Sequence, residues 1–144
     1  MTIDYQATPN FQPGLEWNPT VSELGFRATW VFQRENEQRP QIHFNTSSDR
    51  IGTPKGYQQY SVTLGKSLHE TGLAGFASLT YSEFEDGFVF PYGLSYQIAP
   101  EWNAIFLHDG RRSHLLATYS QESWYVQIGW IWFKRPSFTL GWGF

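Results

Sequence analysis

The sequence predicts an all-β fold, an antiparallel, up-and-down, closed transmembrane β-barrel of eight to ten strands. Three observations predict it. Apolar and polar residues alternate with period two along most of the chain, as they do when successive strand side chains point to opposite faces. Aromatic residues make up 19% of the 144 positions and charged residues 16%, yet the mean hydropathy is polar at −0.44. Large aromatic stripes beside bland polar ones satisfy both numbers. Finally, no window approaches the roughly 20 consecutive apolar residues of a membrane helix.

The elements follow in order. Residues 1–20 are punctuated by Pro9, Pro13 and Pro19 and read as a lead-in, with 14–18 open as a short first strand. The barrel domain is 21–144. Its first clear strand, 24–33, sets Leu24, Phe26, Ala28, Trp30 and Phe32 against Arg27, Thr29, Val31 and Gln33. After a polar turn at 34–40, residues 41–46 set Ile42 and Phe44 against Gln41, His43 and Asn45. The stretch 47–56 is the densest in turn formers. Residues 57–66 place Tyr60, Val62 and Leu64 opposite Gln59, Ser61 and Thr63. Beyond a turn at 67–71, residues 72–83 place Ala77, Leu79 and Tyr81 opposite Ser78, Thr80 and Ser82.

Glu85-Asp86-Gly87 reads as a hairpin turn. The strand 88–98 then lines Phe88, Phe90, Tyr92, Leu94, Tyr96 and Ile98 along one face, and Pro91 within it predicts a bulge or kink. Turns at 99–101, 109–112, 120–122 and 134–136 separate strands over 102–108, 113–119 and 123–133 from the final one. That final stretch, 137–144, reads Ser-Phe-Thr-Leu-Gly-Trp-Gly-Phe, with Phe138, Leu140, Trp142 and Phe144 on one face. Nine strands are clear and one is weak; ten are expected if the first is real and eight if two fuse.

Alternation alone suits a soluble barrel or sandwich equally well. The size of the stripe decides for the membrane, because so many Trp, Phe and Tyr side chains would overfill a small barrel interior. Lipid-facing positions are then Phe26, Trp30, Phe90, Leu94, Trp130, Leu140, Trp142 and Phe144. Trp102, Tyr119, Trp124, Trp132 and Trp142 lie near strand ends, where interfacial girdles sit. Arg27 and His43 fall on the interior face and require polar partners there.

The ending resembles the C-terminal signal of bacterial outer-membrane β-barrels, whose last residue is an aromatic preceded by apolar residues at alternate positions. Ser137, Trp142 and Phe144 match its positions, while Thr139 stands where the signal often carries glycine. The resemblance covers one strand closely. It implies export, recognition of Ser137 to Phe144 by the outer-membrane assembly machinery, and residence in a bacterial outer membrane. It also implies a periplasmic C-terminus, so that the connections 47–56, 85–87, 109–112 and 134–136 face outward. Asp49, Arg50, Lys55, Arg111 and Arg112 are then outer-rim charges, in reach of lipid headgroups. Met1-Thr2-Ile3-Asp4-Tyr5 has neither the charged start nor the apolar run of a secretion signal. Either the signal has been removed and Met1 stands in its place, or the protein is never exported. The first is expected, and the second would overturn the membrane reading.

Composition excludes several chemistries. With no cysteine there is no disulfide or thiolate metal site. Net charge −3 without a basic run leaves no footprint for nucleic acid. The four histidines show no metal-ligand spacing, so neither a metal nor a cofactor is expected. The one constellation that looks catalytic is the hairpin carrying His108, Asp109, Ser113 and His114, since a nucleophilic Ser needs a His within hydrogen-bond reach and a third group to orient it. The His-x-Ser signature of the lipid A deacylase family is absent, and Ser113 and His114 point to opposite faces of a strand. The expectation is therefore a small structural or adhesion-type outer-membrane barrel without catalysis, its lumen filled or narrow. Two alternatives stand beside it, a lipid-modifying enzyme and a soluble lipocalin-like binder of an apolar ligand.

Overall fold

The computed structural model describes residues 2–18, 22–49 and 55–142, with residue 69 described by its backbone alone. They form an all-β antiparallel up-and-down sheet of twelve strands. The strands are β1 (Thr2–Asp4), β2 (Phe11–Asn18), β3 (Glu23–Gln33), β4 (Gln41–Ser48), β5 (Gln58–Leu68), β6 (Leu73–Ser82), β7 (Gly87–Val89), β8 (Tyr92–Ala99), β9 (Trp102–His108), β10 (Ser113–Ser120), β11 (Trp124–Ile131) and β12 (Arg135–Trp142). A single 3-10 turn, His69–Thr71, joins β5 to β6. The order follows the chain from β1 to β12, with β7 paired to β6 beside the main path. Among the described residues no pairing joins the two ends of that order.

The count of twelve exceeds the expected eight to ten for two local reasons. The lead-in carries a real strand, β2, in register with β3 over eight positions from Phe11↔Trp30 to Asn18↔Glu23, and a three-residue β1 is added against it. The second reason is Pro91. Its missing N–H cannot serve the ladder, and the expected strand over 88–98 is divided there into β7 and β8. Ten strands remain with seven or more residues.

The last hairpin also differs from expectation. The turn read at 134–136 lies earlier, where Trp132 and Phe133 both take positive φ (56° and 52°) and the Lys134 N–H donates to the Ile131 carbonyl at 3.0 Å. Arg135 and Pro136 are instead paired in β12 with Ile131 and Trp130.

The chain divides into two compact units. Unit 1, Met1–Gly65 with Ser78–Phe90, holds β1 to β4, β5 up to Gly65, the end of β6 and β7. Unit 2, Lys66–Ala77 with Pro91–Phe144, holds the start of β6 and β8 to β12. In both, the register puts apolar side chains on one face in rows, such as Phe44 beside Trp30 and Val62 in unit 1, and Leu115 beside Phe106 and Trp130 in unit 2.

The burial is inverted relative to a water-soluble sheet. Among the described residues one apolar residue is buried, Ala28, whereas nine polar or charged ones are. Phe90 is 64% exposed and Trp142 66%, while Thr80 is 1% and Ser82 0% exposed.

Candidate functional site

In unit 1 the buried polar face is a hydroxyl and carboxylate network. Period-two alternation brings Ser61 and Thr63 of β5 opposite Thr80 and Ser78 of β6, and their hydroxyls pair at 2.6 and 2.8 Å. Gln59 Nε2 donates to Ser47 Oγ at 3.0 Å. Arg27, read as an interior cation in need of a partner, finds it in Asp4 of β1, with Nε 3.1 Å from Oδ1. His43 lies 3.3 Å from Gln41 Nε2 through its Nδ1. Glu16 accepts from the Ser48 N–H at 2.7 Å. Each buried polar group that gains a partner avoids a desolvation penalty of about 1–3 kcal/mol, so this face is held together by polar contacts in place of an apolar core.

Asp49 corrects one expectation. Read from the sequence as an exposed rim charge, it is 2% exposed and accepts a hydrogen bond from Ser82 Oγ. It follows β4 directly and continues the strand's polar face, so its side chain turns into the network. Lys55 is exposed, and Arg50 lies outside the described residues.

In unit 2 the hairpin between β9 and β10 holds two separate pairs. Ser113 and His108 are register partners at the strand ends, and Ser113 Oγ lies 3.0 Å from His108 Nδ1. The Tyr92 ring stacks on His108 at 5.1 Å between centroids. These three belong to the apolar face. On the opposite face, His114 Nε2 lies 2.8 Å from Asp109 Oδ2. Asp109 Oδ1 accepts from the amides of Arg111 and Arg112 at 2.8 and 2.7 Å, and Gly110 takes the positive φ of 93° that closes the turn.

Burial alone would push the Asp109 carboxyl up. The Arg112 amide, His114 and the Arg111 amide outweigh it and hold the group below its ordinary range. The structure thus brings Ser113 to His108 but gives Asp109 to the other histidine. No carboxylate orients His108 among the described residues, and a Ser-His-Asp relay is not assembled.

The same end of unit 2 carries an aromatic–cationic cluster that sequence reading missed. The Arg112 guanidinium carbon sits 4.2 Å from the centre of the Trp132 ring and that of Arg135 5.8 Å. A non-glycine residue in the left-handed region costs about 1–2 kcal/mol, so Trp132 and Phe133 in succession make this turn strained. Such turns favour Asn-Gly, which is why two aromatics gave no signal of a turn there.

The apolar face itself is the largest surface feature. Phe26, Trp30, Phe90, Leu94, Trp130, Leu140 and Trp142 are all exposed; Phe144 lies outside the described residues. At one end of unit 2 this face ends in Trp102, Tyr119 and Trp124, whose rings follow one another at 5.1 and 5.6 Å, with Trp142 in register beside Trp124. At the other end stand Tyr92 and Trp130. No group of three or more metal-ligating side chains occurs among the described residues, and no helix is long and apolar enough to cross a membrane. No protein-family model, curated protein or solved structure matches this chain.

Proposed function

We propose that this protein is a small integral outer-membrane β-barrel whose sheet closes on itself, presenting its aromatic-rich face to acyl chains and its polar face to a filled or narrow lumen. The observation that carries this reading is the inverted burial: among the described residues thirty large hydrophobic side chains are exposed, while the buried side chains, Ala28 apart, are those of Ser, Thr, Glu, Asp and His. In water such a surface far exceeds the apolar patch of an ordinary monomer; in hydrocarbon it is the stable arrangement. Backbone groups in hydrocarbon have no water to bond, so a spanning sheet must close. The lengths of β3, β5 and β6, 11, 11 and 10 residues, suit tilted spanning strands, and aromatic rows at both ends of the unit 2 face suit the two interfaces.

The role is structural or adhesive, without catalysis. A soluble binder of an apolar ligand would need the apolar side chains turned inward, the reverse of what burial favours here. Insertion by the assembly machinery through Ser137 to Phe144 belongs to the same reading. The test is solubility with and without detergent, together with gel migration before and after boiling. A detergent-dependent protein with heat-modifiable migration is expected; a monodisperse monomer in plain buffer would remove the reading.

One observation favours a second function, acyl transfer on a lipid. Ser113 and His108 are within hydrogen-bond reach on the apolar face. Under this reading Ser113→Ala abolishes release of fatty acid from a phospholipid while leaving heat modifiability unchanged; equal release by both proteins removes it.

A further inference from the structure

Unit 2 is electrically lopsided. At the end formed by the β9–β10 and β11–β12 turns stand Arg111, Arg112, Lys134 and Arg135, against one carboxylate, Asp109. The unit's other acidic residues, Glu70, Glu101 and Glu122, lie on the turns at the opposite strand ends. The two oxygens of Asp109 are engaged by His114 and by two backbone amides. Among the described residues Arg112 and Arg135 make no ion pair. Both guanidiniums are instead gathered at the Trp132 ring, and Trp132 is presented by a backbone conformation that bulky L residues disfavour. Strain of this kind points to a role for the residues it displays. Two residues before Trp132, Trp130 is exposed on the apolar face, and Phe133, the next residue of the turn, is exposed as well.

We propose that Arg112 and Arg135, assembled on Trp132, bind the phosphate of an anionic lipid headgroup, whose acyl chains run down the adjoining face past Trp130 and Phe133. This rests on the membrane reading above. The guanidinium fork matches phosphate geometry and stacks on an aromatic ring, which a lysine ammonium does not reproduce. A free anion would use the arginines but not the apolar residues beside them, and the observations therefore favour a lipid.

The experiment takes the full chain, refolded in detergent and inserted into vesicles of phosphatidylcholine, with and without a minority of phosphatidylglycerol. Lipid retained after mild extraction is read by native mass spectrometry. Phosphatidylglycerol is expected to be retained preferentially. Each arginine changed to glutamine is expected to lower that preference roughly fivefold, the equivalent of about 1 kcal/mol for one cation at a lipid surface. Arg112→Lys is expected to fall between the wild type and Arg112→Gln, and Lys55→Gln to behave as the wild type.

Equal retention of the two lipids by a protein that inserts overturns this proposal and leaves the membrane reading standing. Failure to insert into either vesicle overturns both. Displacement of phosphatidylglycerol by excess inorganic phosphate alone overturns the lipid assignment in favour of a free-anion site. If the double glutamine variant loses heat-modifiable migration, the Arg112→Lys/Arg135→Lys pair decides: undiminished preference overturns the stacked-fork geometry, and reduced preference supports it.

Discussion

Asp109 is the residue on which the β9–β10 hairpin of unit 2 turns. It accepts from two backbone amides through one oxygen and meets a buried histidine with the other; asparagine keeps the first acceptor but sets an NH2 against His114. Asp109→Asn is expected to destabilise the folded protein by about 1–3 kcal/mol at neutral pH. Because the folded carboxyl titrates below its ordinary value of 3.8, its stabilisation is present above that value and is lost as pH falls through the lower folded one. Unfolding midpoints of the wild type and Asp109→Asn, followed by tryptophan fluorescence in detergent, should differ at pH 7 and converge in that acid range. Midpoints separated equally at all pH values would show that the carboxylate's charge contributes nothing. The sequence placed Asp109 near two histidines and a serine, and that much was legible. Which histidine it serves depends on the faces that the turn assigns, a matter of backbone geometry at Gly110 that spacing alone does not carry.

Between strands, the telling contacts are the paired hydroxyls linking β5 and β6. Ser61 and Thr80 are both buried and lie 2.6 Å apart. Thr80→Val should cost about 1–3 kcal/mol, because it leaves the Ser61 hydroxyl buried without its partner. Adding Ser61→Ala should recover part of that loss, and a double-mutant cycle on unfolding midpoints measures the coupling. Strict additivity would mean that the two hydroxyls do not support one another.

Most strands of this sheet could be read directly, since Ser61/Thr63 and Ser78/Thr80 recur at period two opposite Val62 and Leu79. The exceptions have local causes. Pro91 interrupts pairing, whereas Pro136 is accommodated within β12 opposite Trp130. The turn before it fell on two aromatics whose strained φ values no propensity anticipates.

For the whole molecule the decisive quantity is what the apolar face meets. Ile128 sits mid-strand in β11, exposed, between Ala117 and Phe138. If that face lies against acyl chains, Ile128→Arg should destabilise the folded protein by about 2–4 kcal/mol in a bilayer. On a water-facing surface the same change stays within about 0.5 kcal/mol. Refolding yield into vesicles, followed by heat-modifiable migration, distinguishes the two.

The sequence by itself determined that the chain is all-β, where most strands begin and end, and which side chains share a face, because a two-residue period and turn chemistry are local properties. Only the tertiary structure decided which partners the buried polar groups take. It buried Asp49 in a hydroxyl network, gave Asp109 to His114 and gathered two arginines on Trp132. Those outcomes follow from register and strand pairing between residues far apart in the chain, and from the need of every hidden polar atom for a partner, which no single segment can meet from its own residues.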